Sequence, residues 1–515
     1  MSITALLQTQ AAALPDKPFV VTDGGSYSYA SIASLSRRFA CQLMSLGIQP
    51  GDHVGVLADN SAAYVVAWFG ISMAGAVAVT LNHRLIADGL VYTIEQSEVR
   101  LLVADRGFIE SRACYLTGPA GDLPVVVIEN EAAFLAGLQR HSEAQMVEVA
   151  PRETCAIIYT SGTTGRPKGV MNSHQVYLSA GREVARLAGL RRDDVIMAVL
   201  PMFHANSQMF GVMPALTLGA TLALRPKFSA TSFFDDARRF GATGHPAVGT
   251  IVNVLLRRYP AGDRDHTMRF CIGGGVSGAE DSKAIMNDYL GRFGIHMFEA
   301  FGMTEIGGIT CGNSTEAWRA GTNGRPRPDM EVAIVDAEDH IVPAGVDGEI
   351  VVRPREPNVI FSGYWKMPEQ TLEAFRNLWF HTGDRGHFDD DGYLFYRGRI
   401  KELIRRNGEM IAPSEIEQRL ACMPGVRECV VVGVADPVTG EEIKAVLVVK
   451  EPCAAADVRN YLAQHFPASM LPRYVEFVAA LEKTETEKVR RSVLQYVDER
   501  VIDLAQGAAA TEPGH

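Results

Sequence analysis

Eight short runs of Val, Ile, Leu and Ala frame the first four hundred residues of the chain. HVGVLA, AVAVTL, RLLVAD, LPVVVIE, CAIIYTSG, DVIMAVLP, ATLALR and RFCIGGG recur between amphipathic stretches. They are near-continuously apolar, as strands covered on both faces must be. Such strands pair in parallel, and each parallel pairing needs a crossover, usually a helix. The predicted fold class is α/β, with a large N-terminal domain of stacked, parallel-rich sheets. Functional loops are expected at the carboxyl ends of those strands.

Two changes of texture divide the rest. From about Gly321, MEVAIVD, GEIVVRP and GYLFYRGR are short strands separated by Gly, Asp and Pro, which predicts a small antiparallel, barrel-like subdomain. After Arg399 a charged crossing, RIKELIRRNGEMIAP, leads to a helix in SEIEQRL, with Ser414 as its cap and Glu417 closing the capping box. Two apolar strands, VRECVVVGVAD and EIKAVLVVK, and a helix near residues 458–465 complete a small α+β unit. The end, AQGAAATEPGH, reads as a disordered tail. Residues 64–81 (YVVAWFGISMAGAVAVTL) carry no charge, yet Ser72, Thr80 and the small Ala/Gly steps break them up. A buried helix, a glycine turn and a buried strand are expected there, not a membrane span.

A length of 515 residues calls for two or more domains. The net charge of −11 argues against non-specific nucleic-acid binding, which needs a basic face. The eight cysteines are scattered with no CxxC pair, which fits reduced thiols in a cytoplasmic setting and no zinc site. The first residues lack the basic region and apolar core of a signal peptide.

The densest chemistry lies in residues 159–169, YTSGTTGRPKG. Thr160, Ser161, Thr163 and Thr164 bring hydroxyls, Gly162 and Gly165 free the backbone amides, and Lys168 brings charge. A Walker loop is excluded: Pro167 stands where its second glycine belongs, and Gly169 replaces the hydroxyl after the lysine. A phosphate-holding loop of another kind is expected at the end of a strand.

Residues 161–169 resemble the signature loop of the adenylate-forming superfamily, which includes acyl-CoA synthetases, peptide-synthetase adenylation domains and luciferase. The resemblance covers nearly the whole chain, in the family's order: PMFHANSQ, CIGGGVSG, FGMTE, HTGD, GRIKELIRRNGEMIAPSEIE and KTETEKVRR. It implies a two-step ligase. A carboxylate attacks the α-phosphate of Mg·ATP, giving an acyl-adenylate and pyrophosphate. Coenzyme A then displaces AMP.

The resemblance also implies roles. The loop from Thr160 to Lys168 would hold the β- and γ-phosphates, Gly273, Gly274 and Gly275 would lie beside adenine, and Phe301, followed by Gly302, would stack on it. Thr304 would bind the α-phosphate and Glu305 would ligate Mg²⁺, although Thr and Glu also commonly cap helices. Asp384 would accept the ribose hydroxyls with help from Arg399. Lys488 would draw the carboxylate and the phosphate together, with Glu487 where the family usually has Gly and with Lys483 nearby. Lys401 would be the hinge on which a mobile C-terminal domain rotates, bringing Arg405 and the turn at Gly408 to the pantetheine arm. The implied division is residues 1–398, a hinge at 399–401, a mobile domain at 402–503 and a tail at 504–515.

Pocket candidates are His204, Asn206, Gln208, Val248, Gly249, Gly274, Val276, Met303, Gly307 and Gly308, with the last two leaving room for bulk. None is charged, and HPAVG lacks the aspartate that binds an α-amino group in peptide-synthetase domains, which favours an organic or fatty acid. The general texture resembles the carnitine/crotonobetaine and medium-chain acyl-CoA ligase branches. The competing readings are an adenylation enzyme loading a separate carrier protein, a luciferase-like oxygenase, and a catalytically dead nucleotide-binding interaction protein. The expected partners are the acid, ATP and CoA, in a monomer or homodimer.

Overall fold

The computed structural model describes residues 1–85, 87–116, 123–160, 167–276, 282–406, 409–483 and 489–504. Among these, the chain forms four sheets. The first runs in the order Val125–Ile128, Val99–Asp105, His53–Leu57, Val77–Thr80, Thr154–Thr160 and Lys168–Ser173. All its pairings are parallel except the last. The second is parallel from His296–Phe301 through Phe270–Gly274, Gly244–Val248, Val195–Ala198 and Thr221–Leu224 to Pro18–Thr22, with antiparallel strands at both ends. All eight apolar runs of the sequence are strands in these two sheets.

One core unites the sheets. Val54, Ala78 and Val103 of the first share an apolar cluster with Val20, Ile196 and Leu222 of the second. Helix Ala62–Met73 lies in that cluster with every residue buried, which explains its apolar character all round. Ser61 caps its start by accepting from the Tyr64 N–H, and Gly75, at φ 72°, turns the chain into Val77–Thr80. No described helix is long and apolar enough to cross a membrane.

Strands Met330–Val335, Gly348–Pro354, Phe375–Arg376, Trp379–Phe388 and Leu394–Arg399 form the expected antiparallel subdomain. The last sheet is built on the hairpin Val426–Asp436 and Gly440–Val449, with helices Pro413–Ala421 and Ala455–Ala463 over an apolar cluster. Here the helix cap differs from expectation. Pro413 takes the first helical position, Ala412 is the cap residue, and Ser414 lies inside the first turn. Glu417 does not reach back to the helix start. It pairs with Arg491 at 2.5 Å and accepts from the Val431 N–H at 2.6 Å.

Candidate active site

The hydroxyl-rich loop spans the end of a hairpin. Strands Thr154–Thr160 and Lys168–Ser173 pair with Thr160 opposite Lys168, so the register sets both loop ends side by side. Residues Ser161, Gly162, Thr163, Thr164 and Gly165 lie outside the described residues. Supports bracket them: Tyr92 donates to the Pro167 carbonyl at 3.2 Å, and Tyr159 donates to Gln96, whose amide bonds the Trp365 carbonyl at 2.8 Å.

Glu305 meets this hairpin from 145 residues away. It sits in a single 3-10 turn, Thr304–Ile306, at the carboxyl end of strand His296–Phe301. No side chain caps that turn, so capping does not account for Thr304 and Glu305. Thr160 Oγ1 approaches Glu305 Oε1 at 3.4 Å, and the Tyr364 hydroxyl donates to the same oxygen at 3.2 Å. Lys168 Nζ lies 4.7 Å over the Tyr364 ring. Glu305 is only 8% exposed, and the Thr160 and Tyr364 hydroxyls meet its buried oxygen.

The donor set suits magnesium. One carboxylate and neighbouring hydroxyls are hard oxygens, and no group of three or more His, Cys, Asp or Glu among the described residues could hold a metal alone.

Asp384 and Arg399 form the adjacent edge. They are register partners in strands Trp379–Phe388 and Leu394–Arg399, and Arg399 Nε meets Asp384 Oδ1 at 2.8 Å. Burial alone would lower the Arg399 pKa, but Asp384 first, then Tyr396, Glu305 and Glu402, raise it on balance. The Arg399 charge is also felt at Tyr364. Residues 160, 168, 305, 364, 384 and 399 are therefore electrostatic neighbours.

A second wall adjoins through Phe301, which is buried with Val170, Ile306 and Tyr364 and lies 5.9 Å from the Tyr396 ring. Gly273, Gly274, Gly249 and Gly302 are places of close backbone approach: a Cβ would come 1.9 Å from the Ala247 carbonyl oxygen, 2.5 Å from that of Ala300, 2.1 Å from that of Gly275 and 1.8 Å from that of Gly308. Gly275 and Val276 donate their N–H groups to Glu299 at 3.0 Å. Val248 ends its strand, half-buried against the second apolar cluster. Met303, extended, accepts at its carbonyl from Ile306 and Gly308. His204 lies with its ring 4.2 Å from that of Phe203. Asn206 opens a π-helical turn, Asn206–Val212, with its amide 3.5 Å from the Ala247 carbonyl.

Three pocket expectations are corrected. Gln208 is fully buried: its amide donates to the Met202 carbonyl at 2.6 Å and its oxygen accepts from Tyr177, so it belongs to the core. Val276 is 3% exposed and its side chain packs in the apolar cluster with Ala247 and Ile251. Gly307 and Gly308, at φ 70° and 84°, do not open space; a Cβ would meet the Val359 carbonyl oxygen at 2.8 Å and the Phe210 ring at 2.8 Å. Their backbone is left-handed, which is why glycine stands there.

In the C-terminal part, Lys401 lies in a 3-10 turn, Ile400–Glu402, and its side chain, Gly408 and Lys488 are outside the described residues. Arg405 is exposed on strand Ile404–Arg406, its N–H donating to Glu441 at 2.6 Å. Arg406 is engaged inside the domain, with Glu442 at 2.9 Å and the Ser469 carbonyl at 2.8 Å. Lys483 pairs with Glu428 at 2.7 Å.

Sequence reasoning missed Tyr364, Glu299 and Arg327. Glu299 is visible only as an acid inside an apolar strand, HMFEAF. Arg327 is 1% exposed, pairs with Asp329 and donates to the Ile309 carbonyl at 3.0 Å, bracing the FGMTEIGGI turn.

The profile of the AMP-binding enzyme family matches residues 7–365, and that of the AMP-binding enzyme C-terminal domain matches residues 415–488. The chain belongs to the AMP-binding enzyme family. Among curated relatives of this AMP-binding enzyme is the crotonobetaine/carnitine–CoA ligase of Salmonella heidelberg (strain SL476), 31% identical over 91% of the chain and 93% of the relative. Among solved structures, ATP-bound MatB from Rhodopseudomonas palustris superposes at a TM-score of 0.85 with 28% identity, covering 96% of this chain and 98% of that one. The benzoate CoA ligase of Burkholderia xenovorans LB400 superposes at 0.85 with 25% identity, covering 96% and 100%. This AMP-binding enzyme is an adenylate-forming acid–thiol ligase of the acyl-CoA synthetase group.

Proposed function

We propose that the protein activates a small or medium organic acid as its acyl-adenylate and transfers the acyl group to coenzyme A. The observation that carries this reading is the convergence of Thr160, Lys168 and Glu305 with the Asp384–Arg399 pair, a phosphate-and-metal end beside a ribose end. The similarity to CoA ligases along the chain supports it.

The first step puts charge on phosphate oxygens, so cations and donors already in place lower its barrier. Lys168 and the hydroxyl loop take the β- and γ-phosphates, Thr304 takes the α-phosphate, and Asp384 and Arg399 hold the ribose. Glu305 would hold the magnesium ion, which would supply charge neutralisation for the departing pyrophosphate. Phe301 and Gly273–Gly275 flank the adenine, while His204, Asn206, Val248, Gly249 and Met303 border the acyl group. Lys488 joins carboxylate to phosphate. The segment at Lys401 then lets residues 402–503 rotate, so that Arg405 and Gly408 face the pantetheine arm.

The substrate is an acid with a neutral chain rather than an α-amino acid, because the pocket candidates carry no charge to meet an ammonium group. The test is pyrophosphate release by purified protein with Mg·ATP and CoA across fatty, aryl, betaine-type and amino acids. We expect release and acyl-CoA formation with one non-amino-acid class. Release without acyl-CoA would point to a carrier protein as acceptor, and silence across all classes would overturn the reading.

A further inference from the structure

Tyr364 stands where the two halves of the phosphate apparatus meet. Its segment, FSGYW, adds to strand Lys168–Ser173: Val170 pairs with Tyr364, the Trp365 N–H donates to the Gly169 carbonyl at 2.8 Å, and the Met171 N–H donates to Gly363 at 3.1 Å. The strand that begins at Lys168 thus sets Tyr364 at a fixed offset from that lysine. The tyrosine is 8% exposed, with the Lys168 ammonium over its ring and its hydroxyl on Glu305.

Both contacts have a purpose in the pocket read above. A lysine stem is long and rotatable, and a ring face confines its head. A carboxylate that ligates a metal needs an outer partner to fix its plane, and Tyr364 and Thr160 both fix the same oxygen. We propose that Tyr364 is a positioning residue for the magnesium–nucleotide complex, its hydroxyl orienting Glu305 for the metal and its ring holding Lys168 for the phosphates. This rests on reading the site as the Mg·ATP pocket.

Two substitutions separate the roles. Tyr364→Phe removes the hydroxyl and keeps the ring, whereas Tyr364→Leu removes both. The measurement is calorimetric binding of ATP to the full chain, with chelator and across a Mg²⁺ titration, so it needs no turnover and no known acid. For Tyr364→Phe, the Mg²⁺ midpoint for tightening ATP should rise roughly ten-fold. Its affinity for metal-free ATP should stay within about two-fold of wild type, because the ring remains. Tyr364→Leu should show the same Mg²⁺ shift and bind metal-free ATP about three-fold or more weakly. A Mg²⁺ midpoint unchanged in Tyr364→Phe, or a folded Tyr364→Leu identical to it, would overturn the inference. If Tyr364→Leu fails to fold, the Phe variant alone decides. Wild-type protein that binds neither form of ATP would overturn the pocket reading itself, and this inference with it.

Discussion

Single residues in this site are defined by what occupies their neighbours. Lys483 and Lys488 both lie in KTETEKVRR, but Lys483 is tied to Glu428 at 2.7 Å, which leaves Lys488 as the lysine proposed to act. Lys488→Ala should lower adenylation by about 10²–10³, the usual cost of one preorganised donor. Thioester formation from preformed acyl-adenylate should persist, and Lys483→Ala should change either half-reaction only a few-fold. Equal loss in both half-reactions for Lys488→Ala would count against the assignment. Asp105 behaves differently. Burial lifts its carboxyl to about 6 against the pull of the Asp59 N–H, and the Asp59 charge adds to the lift. The folded state therefore holds a proton that the unfolded chain gives up near pH 4, and stability is lost as the pH rises from there through 6. Asp105→Asn should raise the melting temperature above pH 6, by the equivalent of about 1 kcal/mol once solvent screening is allowed for. At pH 4 it should do nothing. A gain that is the same at both pH values would exclude the buried carboxyl as its source.

At the scale of elements, strand Gly440–Val449 carries a lysine where the apolar pattern asks for a hydrophobe. Lys444 is 0% exposed and its ammonium is fully used, on Glu476 at 2.8 Å and on the carbonyls of Leu494 and Tyr496 at 3.1 and 2.8 Å. The strand thereby ties down the chain that follows the Lys488 segment. Lys444→Met leaves Glu476, buried at 2% exposure, with the more distant and exposed Arg500, at 3.9 Å, as its cation, which should cost about 3 kcal/mol. Lys444→Met with Glu476→Leu should recover most of that loss, as read by denaturant unfolding; a double variant as weak as the single would show that the carbonyl contacts matter more than the pair. Elements also differ in how plainly the sequence announces them. CAIIYTSG and RFCIGGG are legible because an unbroken apolar run has few other homes. Strand Gly244–Val248 is not, since His245 and Pro246 interrupt it; His245 is accommodated by Tyr289, whose hydroxyl lies 3.0 Å from its Nε2, and by the Pro246 carbonyl, 3.3 Å from its Nδ1. The Ser414 cap failed for a local reason: the proline before it already supplies the helical φ at the first position.

Over the whole molecule, the C-terminal part meets the large domain, among the described residues, through polar side chains. Arg257 donates to the Ala421 carbonyl at 3.4 Å, and Arg491 adds its charge at Tyr396. Polar contacts of this kind can be exchanged for others, which suits the proposed rotation between two steps. Lys401→Pro, which fixes φ in the turn Ile400–Glu402, should leave adenylation near normal and cut acyl-CoA formation roughly ten-fold or more. Normal overall turnover in that variant would sink the hinge. By itself, the sequence determined the kind of strands and the division into three textures, because apolar periodicity, glycine and proline act within a few residues of one another. Only the tertiary structure decided that Tyr364 joins Lys168 to Glu305, that Asp384 faces Arg399, and that Gln208 and Val276 serve the core. Those facts depend on strand register and on which crossover brings which loop to the same sheet edge, and no local pattern encodes a meeting between residues two hundred positions apart.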